Sequence, residues 1–157
     1  MNHQTLSELV DHCFPFIPKP KRHEIPFHTQ GCDQCRLTVE TLENYSGEQL
    51  PKAAIKQIFD QLCTLSAKAT AWVYPSYLRV ALQSNEPYDT IPEFLIYNLS
   101  PADKHKANTQ QRLAMLNKNQ IECLIEILIY WQNTEHWRDY CGDDLKKAVQ
   151  FLKELTE

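Results

Sequence analysis

The residues from Asn117 to Asn133 constrain the fold of this chain more than any other stretch. Ile121, Leu124, Ile125 and Leu128 fall at i, i+3, i+4 and i+7, one face of a 3.6-residue period. Winding the run at about 100° per residue spreads these four, with Cys123, Ile127 and Trp131, over roughly 200° of its girth. Only a strip holding Asn119, Glu122, Glu126 and Asn133 is left to meet water. A helix apolar over more than half its circumference has to be covered by several others. The run 117–133 is therefore expected to be the central, buried helix of a bundle. Asn117 is placed to cap it, its side chain accepting from the backbone N–H near Gln120. The isoleucines would also suit a buried strand, but the run is too long for one and its glutamates recur at helical spacing.

The remaining chain extends the helical reading. Leu6, Leu9, Val10 and Cys13 predict a first helix capped by Thr5 and stopped before Pro15. From Phe14 to Gln30 the prolines 15, 18, 20 and 26 remove donors and hold their predecessors extended. That segment is too apolar for a free tail, so 14–30 is expected to lie across the helices as an extended strap, with Lys19 to Arg22 its exposed part. Further helices are predicted around Cys35–Leu42, from Pro51, and from Ser66 to Val73. Pro75 is expected to break or kink the chain, and Ser76 to restart it. Another helix is predicted over Ile91–Leu99 with Thr90 as cap, then loop over Asp103–Asn108, and a last helix beyond a break at Gly142. Three glycines are few for a β-rich chain, and 157 residues suit one domain. The expected fold is all-α: a single-domain bundle of about seven or eight helices around 117–133.

Charge and cysteine usage bound the function. A net charge of −4 and a pI near 5.9 argue against a protein devoted to gripping nucleic acid. The basic run Lys19–Arg22 is too short a footprint to reverse that. The N-terminus lacks a basic segment followed by an apolar one, and the run Ile127–Trp131 is far short of the ~20 residues a bilayer needs. A cytosolic protein without a membrane segment is expected, its six cysteines reduced thiols and Cys63 and Cys123 small core residues.

One constellation has ligand chemistry: His23, His28, Cys32 and Cys35. Two thiols at Cys-x2-Cys spacing can meet on one metal, and two upstream imidazoles would complete a tetrahedral Cys2His2 set, with zinc as the candidate cofactor. A helix beginning near Cys32 would itself put both thiols on one face, so an ordinary helix start competes with that reading. No βαβ pattern precedes the pair, which weighs against a redox dithiol. Glu122 and Glu126 lie one turn apart but lack an accompanying Glu-x-x-His, so a solvated stripe, paired with Arg79 or Arg112, is expected. Of the aromatics, Trp72, Tyr74, Tyr77, Trp137 and Tyr140 are the candidates for partner contact, against their commoner use as core fillers. No nucleophile elbow, phosphate loop or His-Glu-x-x-His is present.

Three segments carry a resemblance: Gly-Cys-Asp-Gln-Cys at 31–35 after the proline-rich opening, Trp-Val-Tyr-Pro-Ser-Tyr-Leu at 72–78, and Arg-Leu-Ala-Met-Leu-Asn-Lys-Asn-Gln at 112–120. In this order they resemble a family of small uncharacterised bacterial proteins, a domain of unknown function. The resemblance implies an all-helical bacterial protein and supplies no activity. The expected function is accordingly a non-enzymatic, cytosolic protein-binding role, such as an inhibitor or immunity-type partner. A zinc-binding protein or metal-dependent enzyme built on His23, His28, Cys32 and Cys35 is the alternative.

Overall fold

The computed structural model describes all 157 residues and contains eight α-helices and no β-strand. They are α1 (His3–Cys13), α2 (Asp33–Leu42), α3 (Lys52–Ile58), α4 (Ala67–Gln83), α5 (Thr90–Asn98), α6 (Lys106–Arg112), α7 (Lys118–Gln132) and α8 (Glu135–Thr156). Short 3-10 turns precede α4 at Leu62–Thr64 and α6 at Asp103–His105. No helix is long and apolar enough to cross a membrane.

The predicted central helix is α7, and its cap is the predicted one. Asn117 accepts from Gln120 N–H at 2.9 Å, while the Gln120 side chain accepts from Asn117 N–H at 3.0 Å. Ile121, Cys123, Leu124, Ile125, Ile127, Leu128 and Trp131 are buried. It folds back on α8 across Asn133 and Thr134, and α1 bridges it to α4. The more enclosed helix is α4, which packs on α1, α3, α5 and α6 and buries Trp72, Tyr74 and Tyr77 almost completely.

Several local expectations are corrected. Pro75 does not break α4, which runs through it from Ala67 to Gln83. A proline inside a helix costs about 3 kcal/mol, and α4 is held on both sides of it by buried residues from Ala69 to Leu82. Arg79 Nη1 also donates to Pro75 O at 2.7 Å and to Phe14 O at 3.0 Å, fastening the start of the strap to this turn. The break expected at Gly142 is a kink inside α8 at Cys141 (φ −125°, ψ 21°), one residue earlier. Asn2 rather than Thr5 caps α1, its Oδ1 accepting from Thr5 N at 2.8 Å, and Asp89 rather than Thr90 caps α5. The polar segment expected as loop holds the 3-10 turn and α6, which buries only Thr109 and Arg112 and so shows no apolar period.

The strap is as expected from 14 to 30, apart from a 3-10 turn at Arg22–Glu24. Phe14 and Ile25 are fully buried. Ile25 O accepts from Ser66 N, and Phe27 N donates to Thr64 O, each at 2.8 Å, with Pro26 bridged to Leu65. Lys19 is not part of an exposed basic run. Its Nζ donates to Leu42 O at 2.9 Å and Tyr45 O at 2.7 Å, capping the end of α2, and it stands over the Trp72 ring. Cys63 is exposed rather than core, because it lies in the 3-10 turn beside the strap. Glu122 pairs with Lys118 at 3.7 Å and Arg79 with Asp11 at 3.0 Å, so neither arginine serves the α7 carboxylates.

Candidate metal centre

The strap turns into α2 through Gly31, whose φ of +71° belongs to the left-handed region that only glycine enters freely. An added Cβ there would meet nothing within 4 Å, so the backbone angle, not crowding, calls for glycine. The turn sets Cys32 at the N-cap of α2, where its Sγ accepts from Cys35 N–H at 3.3 Å. Cys35 follows one turn into the helix and is buried, while Cys32 is half-buried. His28, ahead of the glycine, brings its Nδ1 to 3.6 Å from Cys35 Sγ. Its ring stands edge-on to Phe27 at 4.9 Å, and Phe27 in turn lies under the Arg112 guanidinium at 4.7 Å.

One ligand atom each from His28, Cys32 and Cys35 therefore falls within 4.8 Å of the other two. Zinc–sulfur bonds of about 2.3 Å and zinc–nitrogen bonds of about 2.0–2.1 Å put a tetrahedral S···N edge at about 3.6 Å. The His28–Cys35 separation matches that edge, and a Cys2His donor set suits a borderline-soft cation. The two thiols are electrostatically unequal. The Cys35 thiol and then the Cys35 and Gln34 N–H groups hydrogen-bond the Cys32 sulfur and hold its pKa below the ordinary thiol value. Burial, and then the bond to Cys32, pushes the Cys35 thiol up.

His23 lies apart from these three. It shares a concavity of about 580 Å³ with His28, Cys32 and Cys35, but stands outside the convergent group. The 3-10 turn at Arg22–Glu24 and the pairing of Pro26 with Leu65 hold it on the exposed face of the strap. A second concavity of about 530 Å³ opens on the other side of His28 and Cys32, toward Phe94, Asn98 and Arg112. His28 and Cys32 thus stand on the rim shared by two clefts, with Cys35 lining one of them.

The aromatic candidates mostly leave the surface. Trp72, Tyr74, Tyr77 and Trp137 are buried, so none of them can meet a partner. Their polar tips explain why α4 tolerates them inside: Trp72 Nε1 donates to Gly47 O at 3.2 Å, Tyr74 OH to Asn98 Oδ1 at 3.0 Å and Tyr77 OH to Ile91 O at 2.6 Å. Tyr140 alone of the five is exposed, stacked edge-on with Tyr88 at 4.8 Å and donating to Glu93 at 3.1 Å. Gly31, Phe27 and Arg112 were not singled out from the sequence for this site. Gly31 carried a local signal, a glycine directly before the thiol pair. Arg112 carried none, since it reaches Phe27 and Cys63 only through the tertiary fold.

No known family's sequence profile, no curated protein and no solved structure matches the chain.

Proposed function

We propose that this chain is a zinc-binding protein whose metal is held by His28, Cys32 and Cys35. The observation that carries the reading is the convergence of those three donors within 4.8 Å at the start of α2. Structural zinc sites close with a fourth protein ligand, whereas sites that act on bound molecules keep that position for water or substrate. Three donors beside open clefts, two of them lining both, favour the second kind. Bound there, zinc would supply Lewis acidity. The chain's own part is to hold the thiols by the helix N-terminus and to orient His28 against Phe27. Elemental analysis of protein purified without added metal is expected to give close to one zinc per chain. His28→Ala and Cys32→Ser should abolish it and His23→Ala should keep it; a wild-type protein with under about a tenth of an equivalent contradicts the proposal.

A second reading, recognition of a protein partner without chemistry, is favoured by the exposed Tyr88, Tyr97 and Tyr140. Tyr97 and Tyr140 both donate to Glu93 Oε1, which sets the rings on one patch. Loss of partner capture on changing Tyr88 and Tyr140 to serine, with zinc content unchanged, would favour it over the metal reading.

A further inference from the structure

Arg112 is the one charged residue buried in this fold, retaining 9% of its surface. It takes part in none of the chain's ion pairs. Its Nε donates to Cys63 O at 3.0 Å and its Nη1 to Thr109 Oγ1 at 3.3 Å, while its plane covers the Phe27 ring. These contacts fix the guanidinium without neutralising it. Buried charges in folded proteins are ordinarily paired, because desolvation penalises a lone one, and burial draws the Arg112 pKa below its ordinary value. Nη2 makes no bond within the chain and is not sealed off, and the residue lines the cleft of about 530 Å³.

The rest of that cleft narrows the missing counter-ion. Asp60 is its single carboxylate, exposed and not paired with Arg112. No lysine and no second arginine lines it, which suits a singly charged anion better than a phosphate dianion. Phe59, Phe94 and Tyr97 form a run of edge-to-face rings with centroids 5.1 and 5.9 Å apart. The volume lies within the range of small-molecule sites, which combine apolar walls with a few placed polar groups.

We propose that this cleft binds a small molecule carrying one carboxylate on a ring-sized apolar body. The carboxylate meets Arg112, and the body lies against Phe59, Phe94 and Tyr97. The site adjoins the His28–Cys32 rim but does not depend on zinc being there.

Calorimetric titration of the full chain tests this, using sodium phenylacetate and, as the uncharged match in shape, phenylacetamide. Both the zinc-loaded and the EDTA-treated protein are titrated. Saturable binding of phenylacetate is expected in both forms, with phenylacetamide at least about tenfold weaker. Arg112→Gln should bring phenylacetate down to the amide's level. Should that variant fail to fold, Ala102→Trp decides, since Ala102 is an exposed residue of the cleft lining and the indole would plug the cleft. Its expected result is lost binding with an unchanged circular dichroism spectrum. Equal affinity for acid and amide, no saturable binding of the acid, or full affinity in a folded Arg112→Gln or Ala102→Trp protein overturns the proposal. Binding confined to the zinc-loaded form and indifferent to Arg112→Gln would make the carboxylate a zinc ligand, overturning the Arg112 site while leaving the metal reading intact.

Discussion

Lys19 shows how far a single side chain can depart from what its neighbours in sequence imply. In the run Lys-Pro-Lys-Arg it reads as solvated charge, yet it closes the carbonyl end of α2 by donating to Leu42 and Tyr45. A cation on the last carbonyls of a helix adds charge–dipole attraction to two hydrogen bonds, so Lys19→Met should cost about 1–2 kcal/mol in denaturant unfolding. Lys21→Met, on an exposed neighbour whose side chain bonds no residue outside the strap, should change stability by less than about 0.5 kcal/mol. Equal effects would mean that Lys19 is solvated as the sequence implied. Gly31 is the other residue whose role is local and testable. With open space around its α-carbon, Gly31→Ala should cost only the left-handed strain, about 1–2 kcal/mol, and should weaken zinc affinity by shifting Cys32 from the N-cap. The His28, Cys32 and Cys35 group was partly legible at this scale. Cys-x2-Cys spacing survives folding because a helix start preserves it, whereas His23 lies outside the convergent group because it sits within the strap's 3-10 turn, away from the thiols.

At the scale of elements, periodicity and caps carried most of the reading. The α7 run was legible down to its Asn117–Gln120 capping box, because both the apolar face and the cap are local in sequence. Asn117→Ala should therefore cost about 1 kcal/mol, measured by thermal or denaturant unfolding, and a neutral result would mean the box contributes nothing. Helix α4 was misread at Pro75, since the rule that proline breaks helices describes isolated helices and not one clasped by four neighbours. Helix α6 was invisible because it carries two buried residues, one of them the arginine of the cleft. The aromatic segment 72–77 was ambiguous for a different reason. Interfaces and cores both use tyrosine and tryptophan, and which use applies depends on whether Gly47, Asn98 and Ile91 reach their polar tips.

The whole molecule is held by one core to which the His28, Cys32 and Cys35 group is peripheral. Thirty-nine buried apolar residues form a single cluster running from α1 to α8, and of the three donors only Cys35 is buried, Cys32 being half-buried and His28 exposed. A zinc finger unfolds without its metal because it has no such core. Here EDTA should leave the helical circular dichroism spectrum unchanged and lower the melting temperature only by the linkage of zinc to the native state. Leu128→Ala in α7, by contrast, should cost roughly 2–5 kcal/mol with or without metal. Collapse of the fold on chelation would mean that the cluster is structural. The all-helical class was legible in the sequence for the same reason the core is robust: the apolar residues recur at helical spacing through most of the chain. The clefts were not legible, because each joins residues from the strap, α2 and, for one of them, the α5–α6 region.

Native mass spectrometry of the purified chain reads directly whether His28, Cys32 and Cys35 share one cation. The spectrum should show the chain carrying one zinc, and His28→Ala or Cys35→Ser should reduce it to the bare polypeptide while His23→Ala keeps the zinc. A wild-type spectrum of bare chain with both thiols free, or of a chain short of two hydrogens through a Cys32–Cys35 disulfide, would contradict it.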